Sequence, residues 1–190
     1  MTHDTLLARH GEALELFTEH VHAIGRDQWR APTPCADWTV RDLVNHLTAE
    51  QLWVPFTVGG ATMAEVGDRF DGDRLGDHPT RAWDHAVAGA LAAFREPGAL
   101  DRTVHLSYGP SPCAAYCSQM TADATVHAWD LARAIGADET IPKTLLDFTQ
   151  GEFGAYADDL AGTGLFAPPV EPPPGADAQT VLLAQLGRRV

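Results

Sequence analysis

The stretch Thr121-Ala-Asp-Ala-Thr-Val-His-Ala-Trp-Asp-Leu-Ala-Arg-Ala-Ile-Gly136 decides how this chain is read. It is one helix, rich in alanine and closed by a glycine. His127 follows Asp123 by four residues, and residues so spaced are neighbours on a helix surface, so one face presents a carboxylate and an imidazole together. Carboxylate oxygen plus imidazole nitrogen is a donor pair that zinc and other divalent first-row metals accept. A third ligand would complete a site. His46 is the best candidate, because it lies mid-way through a second strongly helical segment, Thr39-Val-Arg-Asp-Leu-Val-Asn-His-Leu-Thr-Ala-Glu50, that could pack against the first.

Working outward, apolar residues between Asp4 and Ile24 recur at three-to-four spacing, the mark of an amphipathic helix, which Gly25 ends. A loop stiffened by Pro32 and Pro34 follows. Thr39 then caps a helix with Asp42 in its first turn, running to about Gly59. Beyond a polar, glycine-rich stretch from Gly67 to Pro79, Thr80 opens a third helix that Pro97-Gly98 stops. Arg102 to Tyr108 is short and extended. The helix holding Asp123 and His127 begins near Pro112, a fifth runs from Pro142 to about Leu160, and Ala178 to Gly187 forms a short last one. The expected fold is all-α, a bundle of about four helices, in which metal sites are built from inward-facing side chains on neighbouring helices. We expect one domain over residues 1–166, with residues 167–190 as a proline-rich strap and short C-terminal helix packed on it.

The chain of 190 residues carries 13 basic and 26 acidic side chains, a net charge of -13. Such a field repels phosphate backbones and anionic lipid, which excludes nucleic acid and membrane surfaces as expected partners. No apolar run approaches a membrane span, and the N-terminus lacks the basic start and apolar core of a signal peptide, so a cytoplasmic location is expected. Three cysteines, at 35, 113 and 117, form no disulfide framework and are expected as reduced thiols.

Three segments taken together carry a resemblance: Thr33-Pro-Cys-Ala-Asp-Trp-Thr-Val-Arg-Asp-Leu-Val-Asn-His46, Asp123 to Gly136, and Val181-Leu-Leu-Ala-Gln-Leu-Gly-Arg188. In this order and spacing they resemble the mycothiol-dependent maleylpyruvate isomerase-like branch of the DinB superfamily, mostly actinobacterial. The resemblance implies a DinB-like four-helix bundle with a divalent metal, usually zinc or nickel. One ligand comes from the second helix and two, at i and i+4, from a later one; matched residue by residue these are His46, Asp123 and His127. Many DinB-like sites use three histidines, and the mycothiol-dependent isomerase has a glutamate where Asp123 stands, so the carboxylate here is one methylene shorter. The isomerase also has a second, C-terminal domain that contributes to its active site and is not contained in this sequence, which argues against maleylpyruvate isomerisation itself.

The expectation is therefore a divalent-metal-dependent enzyme that uses a low-molecular-weight thiol such as mycothiol to transfer to, or isomerise, a small electrophilic substrate. Two rivals stand beside it, a metal-dependent hydrolase and a non-catalytic metal- or ligand-binding bundle. A homodimer is compatible with such a bundle, although no apolar stripe requires one. Among other residues, Asp130 reads either as a group that orients a metal ligand or as the partner of Arg133. Glu50 reads first as a solvated helix position, with fourth ligand or general base as the alternative. Trp38 and Trp129 read as packing aromatics, and Cys35, Cys113 and Cys117 as small apolar fillers. Arg81, Arg102 and Arg133 are the nearest candidates for a basic patch.

Overall fold

The structure, a computed structural model, describes residues 1–154 and 167–190. Four helices form the bundle: α1 (His3–Ala23), α2 (Val40–Val58), α4 (Pro79–Phe94) and α5 (Cys113–Ile135). α1 packs on α5 and α4, and α2 closes the ring by packing on α4 and α5. A single turn, α3 (Met63–Val66), lies between α2 and α4; a hairpin, β1 (Thr103–Leu106) and β2 (Gly109–Pro112), leads into α5; α6 (Lys143–Gly154) and α7 (Ala178–Gln185) follow.

Local signals set the boundaries. Thr39 and Asp42 form a reciprocal cap on α2, with the Asp42 N–H donating to Thr39 Oγ1 and the Thr39 N–H to Asp42 Oδ2 at 2.9 Å. Gly136, at φ 71°, turns the chain so that the Ala137 N–H reaches the Ala132 carbonyl at 2.9 Å and ends α5. Sixteen of the 23 residues of α5 are buried, so it is the central element rather than a surface helix. Its alanines 122, 124, 128 and 132 are fully buried, and their small side chains allow close helix approach. Phe17, Leu14, Leu43, Leu47, Trp83, Trp129 and Leu131 fill the space between the helices with at most 1% exposure. Each such large side chain contributes roughly 2 kcal/mol through the water it no longer contacts.

The expected helices are present among the described residues, with two differences. The extended segment at 102–108 is only half of a hairpin, in which Thr103 pairs with Pro112 and Leu106 with Gly109. The returning strand, Gly-Pro-Ser-Pro, has poor strand propensity and escapes a pattern search; its prolines are tolerated because this two-stranded sheet has free edges. α3 is a single turn, stabilised by a Thr62–Glu65 capping box rather than by periodicity. The fifth helix begins after Pro142 as expected and is described to Gly154; its expected continuation to Leu160 lies outside the described residues. Residues 167–177 contain no helix, as the prolines dictate. Leu182 and Leu186 are buried against Ala122 and Val126 of α5. No described helix is long and apolar enough to cross a membrane.

Candidate metal centre and its cavity

α2 supplies His46 from its middle, and α5 supplies Asp123 and His127 from consecutive turns. One ligand atom from each lies within 4.8 Å of the others. His127 Nε2 stands 3.6 Å from Asp123 Oδ1, too far for a hydrogen bond. It is close to the separation of about 3.4 Å between two donors on one tetrahedral ion with bonds near 2.1 Å. The His46 and His127 rings meet edge to face at 5.5 Å. Asp123 Oδ2 is buried with no hydrogen-bond partner among the described residues, a costly state for a carboxylate that a bound cation relieves. This donor set, two imidazoles and a carboxylate, fits a divalent metal and leaves a position for an exogenous ligand.

Behind His127 lies Asp130, which has no exposed surface. His127 Nδ1–H donates to Asp130 Oδ2 at 2.9 Å, so Nε2 is the nitrogen turned towards Asp123 and His46. Arg188 donates to the same carboxylate twice, from Nη2 at 2.8 Å and from Nε at 3.2 Å. Burial pushes the Asp130 pKa up, but the bonds and charges of His127 and Arg188 outweigh it and bring it down to about 2. Burial works against a charged His127 too, and is overcome by the Asp123 carboxylate and the Asp130 bond, which hold its pKa well above the ordinary histidine value. Arg133 turns away and pairs with Glu139 at 2.9 Å, so of the two readings of Asp130 the one that orients His127 is the arrangement observed.

Glu50 is half-buried on the cavity wall rather than a freely solvated helix position. One turn after His46, its Oε1 lies 3.5 Å from His46 Nε2, and the Oε2 atom is buried with no hydrogen-bond partner placed among the described residues. Burial, then the neighbouring Asp123 charge, raise its carboxyl well above the usual range. Burial likewise lowers the pKa of His46, against the opposing pull of Asp123. Trp38 is a wall of this site and not simply a packing residue, its rings 4.8 Å from His46 and 6.1 Å from His127. Trp129 is core, as expected. Cys113 and Cys117 are buried in apolar surroundings that push their thiols up to about 11 and about 12, in keeping with packing.

These groups sit on the wall of a cavity of about 1030 Å³. Cys35 also reaches it, with Sγ donating to Asp130 Oδ2 at 3.3 Å and 3.7 Å from His127 Nδ1. Cys35, His127 and Asp130 are close enough to form a second donor group. That group is already satisfied, since Asp130 is held by Arg188 and Nδ1 by Asp130, whereas the Asp123 side carries the orphaned oxygen. Of the expected basic candidates none lines the cavity; Arg102, for example, pairs with Glu96 at 3.2 Å. Among the described lining residues the permanent cation is Arg188, whose only trace in the sequence is its place in the closing Val181–Arg188 segment.

Residues 10–132 match the family described as the mycothiol maleylpyruvate isomerase N-terminal domain. Two uncharacterized proteins from strains of Mycobacterium tuberculosis are each 34% identical over 137 residues, covering 70% of this chain and 68% of theirs. Crystal structures of the mycothiol-dependent maleylpyruvate isomerase and of a histidine-to-alanine mutant superpose with a TM-score of 0.62 at 15% identity. Each match covers 78% of this chain and 68% of the other, and shows a shared fold. The chain thus belongs to the mycothiol maleylpyruvate isomerase N-terminal domain family.

Proposed function

We propose that this protein is a divalent-metal-dependent enzyme that uses a low-molecular-weight thiol such as mycothiol to transfer to, or isomerise, a small electrophile. His46, Asp123 and His127 would hold the metal, zinc or nickel by donor chemistry. The observation that carries the reading is the convergence of these three donors, one of them a half-buried carboxylate whose Oδ2 has no hydrogen-bond partner among the described residues, on a cavity of about 1030 Å³. Single-ligand sites run to about 300–1,000 Å³, and this cavity reaches the top of that range. Family membership, together with the mycothiol dependence of the isomerase that shares the fold, supports the choice of thiol.

A divalent ion at this position stabilises a bound thiol as its thiolate, the nucleophilic form. The chain's own residues do the rest. Asp130 fixes the proton of His127 on Nδ1 and leaves the Nε2 lone pair directed at the site. Arg188 keeps Asp130 ionised for that task. Trp38 packs against both imidazoles and limits their rotation. The Glu50 carboxyl, whose pKa burial raises, is placed to hold a proton beside the donors. In this reading residues 1–166 are the bundle, and residues 167–190 are the strap and helix that bring Arg188 to it.

The test is elemental analysis of protein purified without chelator, beside His46→Ala, Asp123→Ala and His127→Ala, followed by cobalt substitution and titration with thiol. The reading expects near-stoichiometric metal lost in the variants and a thiol-dependent change in the cobalt spectrum. Absence of metal after incubation with zinc or nickel, or a cobalt spectrum indifferent to saturating thiol, refutes it. Turnover without thiol would point to hydrolysis instead.

A further inference from the structure

We infer that the electrophile accepted in this cavity is uncharged and aromatic or otherwise apolar, and that anionic electrophiles are excluded. This rests on the proposed site and names its substrate class. Besides the donors, Trp53 from α2, Leu106 from β1, Tyr116 and Met120 from α5, and Met63 from α3 line the cavity. Aromatic and thioether surfaces of this kind reward planar apolar ligands through area and ring contacts. Three carboxyl side chains, Glu50, Asp123 and Glu152, also line the cavity.

Only one described lining residue carries a permanent positive charge, Arg188, and Asp130 engages it with two hydrogen bonds. Residues 155–166 contain no lysine, arginine or histidine, so the sequence there adds no cation. A substrate carboxylate in this cavity would give up its water beside the Asp123 and Glu152 carboxylates, while the charged lining groups His127 and Arg188 are already engaged by Asp123 and Asp130. Its neutral ester keeps the apolar contacts without that penalty.

Methyl cinnamate and cinnamate are a matched pair of unsaturated carbonyl probes that differ in this charge. Their dissociation constants are measured by equilibrium dialysis without thiol, on the full chain as purified and after chelator treatment. The ester should bind at least about tenfold more tightly in both preparations. Trp53→Ala should weaken the ester at least about fivefold with metal content unchanged, and Glu152→Lys should strengthen cinnamate by a similar factor.

Comparable or tighter binding of cinnamate in chelator-treated protein overturns the inference. So does tight cinnamate binding confined to metal-replete protein, since uptake of the carboxylate by the ion would admit anionic substrates. A ratio unmoved by either substitution overturns the assignment of selectivity to these walls. Metal content and the cobalt–thiol spectrum, read on the same preparations, separate this from failure of the proposed function: a normal metal and thiol response with an inverted ratio refutes the substrate class alone.

Discussion

Replacing Asp130 with asparagine tests the support behind the donor cluster. In the native protein the Asp130 carboxylate is fully buried and accepts from His127 Nδ1, from Arg188 Nε and Nη2, and from the Cys35 thiol. Asp130→Asn preserves the shape and removes the charge that accepts two hydrogen bonds from the buried Arg188 guanidinium. Breaking a buried pair by removing one partner costs about 3–5 kcal/mol, and that is the expected loss in unfolding free energy at pH 7. The pH dependence gives a second, independent magnitude. A carboxyl whose folded pKa is depressed contributes stability above its unfolded pKa, and that contribution fades as pH falls through the folded value. With Asp130 brought down to about 2, its ionisation accounts for about 2 kcal/mol of stability at pH 7 and about 1 kcal/mol at pH 3. The gap between wild type and Asp130→Asn should therefore narrow by about 1 kcal/mol between those pH values. Urea unfolding of chelator-treated protein, followed by circular dichroism at pH 7, 5, 4 and 3, measures it. A loss under about 1 kcal/mol at pH 7, or a gap that does not narrow by pH 3, would show that the Asp130–Arg188 pair does not carry the weight assigned to it.

Three further outcomes are expected. In chelator-treated protein the His127 pKa is raised, so its contribution to stability is complete below the unfolded histidine pKa, near pH 6.5, and is lost as pH rises through the folded value. An imidazole signal in NMR that titrates at or below the ordinary histidine value would contradict this. Gly187→Ala should destabilise by about 2 kcal/mol in thermal or urea unfolding, because Gly187 sits at φ 79° and a Cβ there would lie 2.6 Å from Ala167 Cβ; an unchanged midpoint would show that the strap yields freely. Thr39→Ala removes half of the α2 cap and should cost about 1 kcal/mol by the same measurement, with metal content unchanged.

The bundle and the donor cluster were both legible in the chain for local reasons. Helical periodicity is a property of neighbouring residues, and so are the Thr39 cap, the Gly136 terminator and the four-residue interval that stacks Asp123 on His127. Those features depend on backbone geometry within one or two turns and survive without knowledge of the partner helices. What lies across the bundle does not. Glu50 and His46 share one helix face, but whether that face meets water or α5 depends on how the two helices dock, and the docking turned a glutamate expected in water into a half-buried one on the cavity wall. Asp130 had an equally good partner at Arg133 by interval alone; the choice of His127 and Arg188 follows from burial, which makes an unpaired carboxylate there too costly. Arg188 is 58 residues from Asp130, a distance at which sequence carries no contact information. The order, capping and register of the helices, and the pairing of Asp123 with His127 on one face of α5, were therefore determined by the sequence itself, whereas the cavity, its charge, and the side chains that hold and flank these donors were decided by tertiary packing, because desolvation and long-range contact exist only once the helices have met.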